Sequence, residues 1–316
     1  MNQFSNVVRA EAFKVVRKRR LYVLAALYWV LLPALALVVA RVLHTTLTGS
    51  FADDGRVVDQ TLQLFASPLG LVRLALAGPA YTSPTLYIVA VTLVAALLIG
   101  DERSQNMWKT VLVVQPSRVA VMSGKVFVAL AALATLMAGA AVSGFLFGLV
   151  GTTFLPTRLE GDWLPLLGLY GLQAAQLLAP VLLAFLLITL VRSGVLGVVM
   201  VLFLPGLLET LYAVINTISQ VQPLNRFNAV FQAIRLQAAW KALPEYFFTA
   251  NLYAPGRAPA AAWFKELSAG EAGDLGPLAG LLGTGLTLGH SALVMAGYAL
   301  LFGVLLYWWF LRRDVD

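Results

Sequence analysis

Six long apolar runs constrain the fold of this 316-residue chain more than any other feature. A helix that crosses a membrane needs about 20 predominantly apolar residues, each of which adds about 1.5 Å to its length. None of the runs shows the strict alternation of apolar and polar residues that is typical of membrane strands. The runs cover residues 21–43, 81–100, 125–150, 164–191, 194–215 and 286–310. The sequence therefore predicts an all-α integral membrane protein with six transmembrane helices in a single domain, residues 1–316.

The composition agrees with that fold class. Hydrophobic residues make up 60% of the chain and charged residues 12%, whereas soluble domains have about 45–50% and about 25%. A soluble protein could not cover its surface with so few charges. Cysteine is absent, which excludes disulfides and thiolate metal sites.

The distribution of Lys and Arg predicts the orientation in the cell membrane. Short segments dense in these residues are typical of the cytoplasmic side. These segments are residues 1–20, 101–124, 192–193 and 311–316. We therefore expect both termini to be cytoplasmic and residues 44–80 and 216–285 to lie outside. The net charge of +7 then indicates contact with anionic lipid rather than with nucleic acid.

Three connecting segments have helical patterns of their own. Residues 1–20 combine basic residues with an apolar stripe at helical spacing, which predicts an amphipathic elbow helix on the inner membrane face. The stripe consists of Phe4, Val7, Val8, Ala12, Val15 and Val16. This helix could be a topology anchor, a contact for a partner, or both. In 44–80 we expect a helix at the outer interface, and in 216–285 short interfacial helices.

The usual signatures of catalysis are absent from the sequence. It contains no phosphate-binding GxxxxGK[ST] loop, no HExxH and no GxSxG, so neither nucleotide hydrolysis nor metalloprotease or hydrolase chemistry is expected of this chain. His44 and His290 are the only histidines and lie far apart. We predict no metal and no cofactor.

Four polar residues lie within the predicted spans. Gln173 and Gln176 share one helix face at a spacing of three, Glu209 lies about 22 Å into the fifth span, and His290 lies near the outer end of the sixth. Polar groups at membrane depth are functional candidates by default. They could line a substrate path or form hydrogen bonds between helices, and the sequence leaves both readings open.

The loop 101–124 resembles the inner loop of type 2 ABC export permeases, in which the ATPase is a separate chain. The matching elements are Glu102 after the second span, Lys109-Thr110-Val111-Leu112, Pro116-Ser117-Arg118, and Gly124-Lys125 at the start of the third span. The basic helical start, the six spans and the large outer segment before the last span are also similar to that family.

The resemblance implies a permease subunit that works by alternating access in a complex of two permeases, identical or related, and two ATPase subunits. It implies that the inner loop is a coupling element that contacts the ATPase. The expected coupling residues are Glu102, Arg103, Trp108, Lys109, Thr110, Arg118 and Lys125. A secondary transporter or channel without an ATPase, and a non-transport anchor of a larger complex, are the alternatives.

Overall fold

The computed structural model describes residues 3–50, 55–77, 86–104, 117–191, 193–218, 237–255 and 286–312. Every regular element in these residues is helical, which confirms the predicted all-α class.

Six helices make up the N-terminal part of the described chain. They are α1 (Gln3–Arg17), α2 (Arg19–Ala26, Leu27–Leu31 and Leu32–Ser50 in succession), α3 (Gly55–Ala66), α4 (Pro68–Ala77), α5 (Leu86–Ala95, Ala96–Gly100 and Asp101–Ser104 in succession) and α6 (Arg118–Gly151). The middle stretches of α2 and α5 are π-helical.

The remaining described residues form a second series of helices. They are α7 (Leu164–Gln176), α8 (Leu178–Val191), α9 (Gly194–Ile218), α10 (Gln237–Ala242) with a 3₁₀ turn at Leu243–Tyr246, α11 (residues 248–255) and α12 (Leu288–Arg312).

Five helical stretches in the described residues are long and apolar enough to cross a membrane. They are Arg19–Thr46, Arg118–Gly151, Leu164–Val191, Val195–Ile218 and Leu288–Arg312. The predicted second span, residues 81–100, is represented by the shorter apolar helix Ile88–Gly100, and residues 81–85 lie outside the described part. Five spans are therefore present, and the sixth stays a prediction.

The long helix α6 lies at the centre of the fold, and α4 packs closely against it. The spacing of Gly144 and Gly148 indicates a close helix contact, and both glycines face the backbone of α4. A Cβ at Gly144 would lie 2.9 Å from the carbonyl oxygen of Leu71, and one at Gly148 would lie 2.3 Å from Cα of Pro68. The region predicted as an interfacial helix is thus two helices, α3 and α4, of which α4 is buried.

A proline inside α2 is compensated by α6. Pro33 has no N–H to donate to the carbonyl of Trp29, and the hydroxyl of Ser143 donates to that carbonyl instead. The indole Nε1 of Trp29 donates to the carbonyl of Leu136 over 2.9 Å. The ring lies where a side chain on Gly139 would clash. Trp29 therefore fixes α2 to the middle of α6.

The predicted fourth span lacks one backbone hydrogen bond near its middle. Leu177, between α7 and α8, keeps helical backbone angles, and its N–H donates to the carbonyl of Gln173 over 3.0 Å. Pro180 follows in the first turn of α8, where it cannot donate a hydrogen bond to the carbonyl of Gln176. Only residues 192–193 separate α8 from α9, which pack side by side, as the predicted tight hairpin requires.

We expect Gly148→Ala to destabilise the protein because the new Cβ collides with backbone atoms of α4. Overpacking of this kind typically costs about 1–3 kcal/mol. The control is Gly171→Ala in α7, where nothing lies within 4 Å of the added Cβ and where Ala is the better helix former. Thermal unfolding in detergent should show a lower Tm for the first variant and an unchanged or higher Tm for the second. Equal shifts for the two variants would contradict the close packing of α4 on α6.

Candidate functional site

The buried face of α1 carries a glutamate in the middle of its apolar stripe. Val7, Glu11 and Val15 follow one another at intervals of four, so they share one helix face, and all three are buried. That face packs against α6. The close approach is possible because Gly124 has no side chain: a Cβ there would lie 2.6 Å from Cγ1 of Val7.

Lys125 of α6 forms an ion pair with the carboxylate of Glu11. The Lys125 side chain is fully buried, and its Nζ lies 2.6 Å from Oε1 of Glu11 and 2.7 Å from Oε2 of Glu102. Nζ also donates to the carbonyl of Leu98 over 3.1 Å. Leu98 belongs to the π-helical stretch of α5. The ammonium thus joins α1, α5 and α6.

Lys14 is the fourth charged residue of this arrangement, and it lies at the edge of the α1 face that carries Glu11. Its ammonium pairs with Glu102 and lies 3.0 Å from Oε2 of Glu11. Glu11, Lys14, Glu102 and Lys125 are called here the buried charge cluster. Two carboxylates and two ammonium groups balance within it. Balance is required because an unpaired charge removed from water costs several kcal/mol.

The environment favours the charged forms of Glu102 and Lys14. Burial disfavours the charged form of Glu102, but Lys125 and Lys14 outweigh that effect and hold the pKa of Glu102 below its ordinary value of 4.5. Burial likewise opposes the charge of Lys14, but Glu102 and Glu11 raise the pKa of Lys14 above its ordinary 10.5. Both groups are therefore ionised at neutral pH.

A second set of ion pairs surrounds the cluster. Asp101, at the end of α5, lies 2.7 Å from Nζ of Lys18 and 3.4 Å from Nη1 of Arg20. Lys18 is the one residue between α1 and α2. The junction of the two helices is thereby held to the same end of α5.

The start of α6 also contacts the last helix. Ser117 caps α6 by accepting a hydrogen bond from the backbone N–H of Ala120 at 3.3 Å. Arg118 donates to the carbonyl of Leu311 over 3.3 Å, a favourable place for a cation at a helix C-terminus. The hydroxyls of Ser123 and Tyr307 lie 2.6 Å apart. The motif Pro-Ser-Arg thus combines a helix cap with a link to α12.

The predicted coupling residues occupy different places. Glu102 and Lys125 lie in the buried charge cluster. Arg118 lies in the first turn of α6 and contacts the end of α12, and Arg103 lies in the last turn of α5. Trp108, Lys109 and Thr110 lie outside the described residues. The partners of Glu102 in the described chain are the two lysines of the cluster, not Arg118.

Sequence reasoning missed Glu11, and it treated Lys14 only as an orientation signal. The sequence did contain a signal for Glu11. Its carboxylate lies at the centre of the apolar stripe of α1, and a possible partner, Lys125, lies at the start of the predicted third span. Neither observation alone specified that the two side chains would meet.

Glu209 and His290 lie away from the cluster and anchor the segment 237–255. Oε1 of Glu209 accepts a hydrogen bond from the N–H of Thr249 at 2.8 Å, and the Thr249 hydroxyl donates to Oε2. A carboxylate at the start of α11 is a favourable helix cap. Nε2 of His290 lies 3.0 Å from the carbonyl of Glu245. Both predicted polar residues therefore take part in contacts between helices.

Further hydroxyls hold the same segment. The hydroxyl of Tyr212 in α9 donates to the carbonyl of Trp240, and that of Tyr298 in α12 donates to the carbonyl of Tyr246. Ser291 donates to the carbonyl of Asn251. Segment 237–255 is thus held between α9 and α12 mainly by side chains that bind backbone groups.

Gln173 and Gln176 are in a different situation. Their exposed fractions are 2% and 4%. In the described chain no protein group lies within hydrogen-bonding distance of Nε2 of Gln173 or of Nε2 and Oε1 of Gln176. Most buried polar groups have such a partner.

These arrangements are ion pairs and hydrogen bonds between helices. The lysines of the buried charge cluster neutralise its carboxylates. Among the residues that the structure describes, no group of three His, Asp or Glu side chains is placed to hold a metal ion. The chemistry of the cluster is therefore that of a fixed ionic link between helices.

The family model described as ABC-2 family transporter protein matches residues 7–206, more than half of the chain. The chain therefore belongs to this family of ABC-transporter permeases and is an integral membrane protein. The match begins in α1 and includes all four residues of the buried charge cluster. Comparisons with curated proteins and with solved structures gave no match.

We expect Lys125→Met to destabilise the protein by about 3–5 kcal/mol, because it leaves two buried carboxylates with one ammonium. Thermal unfolding in detergent measures the loss. A second change, Glu11→Gln, should restore part of it by rebalancing the charge. Arg158→Met is the control: the pair Arg158–Glu160 is exposed, and such pairs contribute about 0–1 kcal/mol. A Lys125 variant as stable as the Arg158 variant would show that the cluster does not hold the helices together.

Proposed function

We propose that this permease is the membrane subunit of an ATP-driven exporter, and that separate ATPase subunits supply the energy. Two copies of the permease, or two related permeases, assemble with two ATPases. The chain itself binds no nucleotide and requires no cofactor. ATP-driven closure of the ATPases shifts the permeases between inward-open and outward-open states.

The observation that carries this proposal is the position of the buried charge cluster on the two helices that one loop joins. Glu102 lies in the last turn of α5, and Lys125 lies in α6, seven residues after that helix begins at Arg118. Both side chains meet Glu11 of α1 or its neighbour Lys14. A force on the loop therefore acts on α1, α5 and α6 together, since separating these helices would leave charges unpaired in a low-dielectric environment.

The assignment of residues follows from this arrangement. Trp108, Lys109 and Thr110 contact the ATPase, with Trp108 as the aromatic anchor of a short docking segment. Glu102 and Lys125 transmit the displacement to the helices. Arg103 at the end of α5 and Arg118 at the start of α6 lie on either side of the segment that joins these helices. Arg118 extends the connection to α12 through its contact with Leu311.

The membrane arrangement completes the proposal. The helix Ile88–Gly100 together with residues 81–87 forms the second of six spans in one permease domain. The helix α1 is the elbow at the cytoplasmic membrane face, where Arg9 and Arg17 are exposed and face anionic lipid. Segment 216–285 lies on the opposite side.

The coupling experiment compares two kinds of variant in the purified permease–ATPase complex. Trp108→Ala removes the proposed docking anchor, so it should weaken ATPase association at least tenfold while the Tm of the permease is unchanged. Glu102→Gln weakens the ionic link that transmits the displacement of the loop to the helices. ATPase association should therefore remain within about twofold, while stimulation of ATP hydrolysis by the permease falls at least tenfold.

Trp163→Ala is the matched control for Trp108, because Trp163 is partly exposed and precedes α7 at the other end of α6. It should change neither association nor stimulation. If Trp108→Ala and Trp163→Ala behave alike, the loop does not dock on the ATPase. A permease that transports without any ATPase would refute the exporter assignment as a whole.

The topology can be tested because the chain has no cysteine. Asn6→Cys in α1 and Glu160→Cys between α6 and α7 place thiols at exposed positions. With an impermeant maleimide on intact cells, we expect labelling at residue 160 and none at residue 6 until the membrane is permeabilised. The reverse pattern would invert the proposed orientation.

A further inference from the structure

At the join between α7 and α8, called here the break because Pro180 leaves one helical hydrogen bond unmade, several polar groups lie together in the middle of a span. Gln173 and Gln176 lie about 14–18 Å from the start of α7 at Leu164, which is close to the midplane of a hydrocarbon core about 30 Å thick. The carbonyl of Gln176 lies at the same level, and Pro180 has no N–H to donate to it. Polar groups at the midplane of a membrane helix are candidates for a binding site.

The two prolines of the bundle differ in how their freed carbonyls are accommodated. The carbonyl freed by Pro33 accepts a hydrogen bond from Ser143 of a neighbouring helix. No side chain in the described residues is placed in that way at Pro180, and the break instead adds two glutamine amides without protein partners. The break therefore gathers several polar groups whose hydrogen-bonding capacity is not used by the described residues.

Burial restricts what can bind the amides. Both side chains are more than 95% buried, and α7 packs against α4, α6 and α12 of the same chain. Lipid and a second permease copy therefore do not reach these groups from outside. A ligand must be small or must enter through an opening between these helices.

The chemistry of the site selects the ligand class. The unpaired groups are two amide N–H₂ donors and one amide oxygen acceptor. The span 164–191 contains no charged residue, and an ion would be held at membrane depth without a counter-charge from that span. The complementary ligand is a neutral group that both donates and accepts hydrogen bonds.

We propose that the break between α7 and α8 is an enclosed binding site for such a neutral group. The group comes either from water or from a hydroxyl or amide of the transported molecule. The second source rests on the proposed transport function, whereas the first does not. In either case Gln173 and Gln176 provide a polar position in the apolar interior of the bundle.

Single cysteines in the natural cysteine-free background test the site. The variants are Gln176→Cys and Gln173→Cys, and the control is Ala184→Cys in α8, which is fully buried among apolar residues. N-ethylmaleimide is applied to isolated membranes without nucleotide. Thiols that remain are then labelled with a fluorescent maleimide after denaturation. Maleimides react with the thiolate, which forms poorly in apolar surroundings.

We expect the cysteine at 176 or 173 to react at least tenfold faster than the one at 184. Rates equal to that of Ala184→Cys at both glutamine positions would overturn the proposal, because the break would then be no more open to a small polar molecule than the apolar core. Since no ATPase is needed, this result is independent of whether the exporter assignment holds.

A second arm distinguishes the two sources of the ligand. The reaction at residue 176 is repeated in the permease–ATPase complex with and without ATP turnover. A rate that changes at least threefold during turnover places the site on the path of the transported molecule. An unchanged, fast rate identifies bound water.

Discussion

The Lys125 ammonium is the interaction on which one end of the bundle depends. It has no contact with solvent, so its charge must be compensated by the protein. The carboxylates that compensate it come from α1 and α5, which are separated from Lys125 by 114 and 23 positions in the chain. Long-range ion pairs of this kind favour the observed arrangement of the helices, because separating the helices would leave buried charges unpaired.

The fold class was predictable from the sequence because the bilayer restricts the possibilities. Apolar length identified the five spans that the structure describes, but the helix of the third span begins at Arg118 rather than at Lys125. The burial of α4 was not predictable, since its residues resemble an interfacial helix and only the glycines of α6 indicated a close neighbour. The pairing of Glu11 with Lys125 was equally hidden, because sequence separation carries no information on which charges meet.

The polar residues within the spans proved to be of two kinds. Glu209 and His290 bind backbone groups of segment 237–255, so their polarity is already used in holding that segment. Gln173 and Gln176 have no such partner in the described chain. In the sequence, all four residues look alike, as polar side chains within apolar spans. Only the three-dimensional contacts distinguish the side chains that bind other parts of the protein from those that are available to a ligand.

The helix α6 has 34 residues and is therefore about 50 Å long. It contacts different helices at its start, its middle and its end. Near its first turns it meets α1 at Gly124, near its middle it holds Trp29, and near its last turns Gly148 meets α4. If a helix of this length tilted as a rigid rod by about 5° around its middle, its two tips would move by about 2 Å in opposite directions. Such a tilt would change the contact of α6 with α4 at the same time as its contact with α1, although the two contacts lie at opposite ends of the helix.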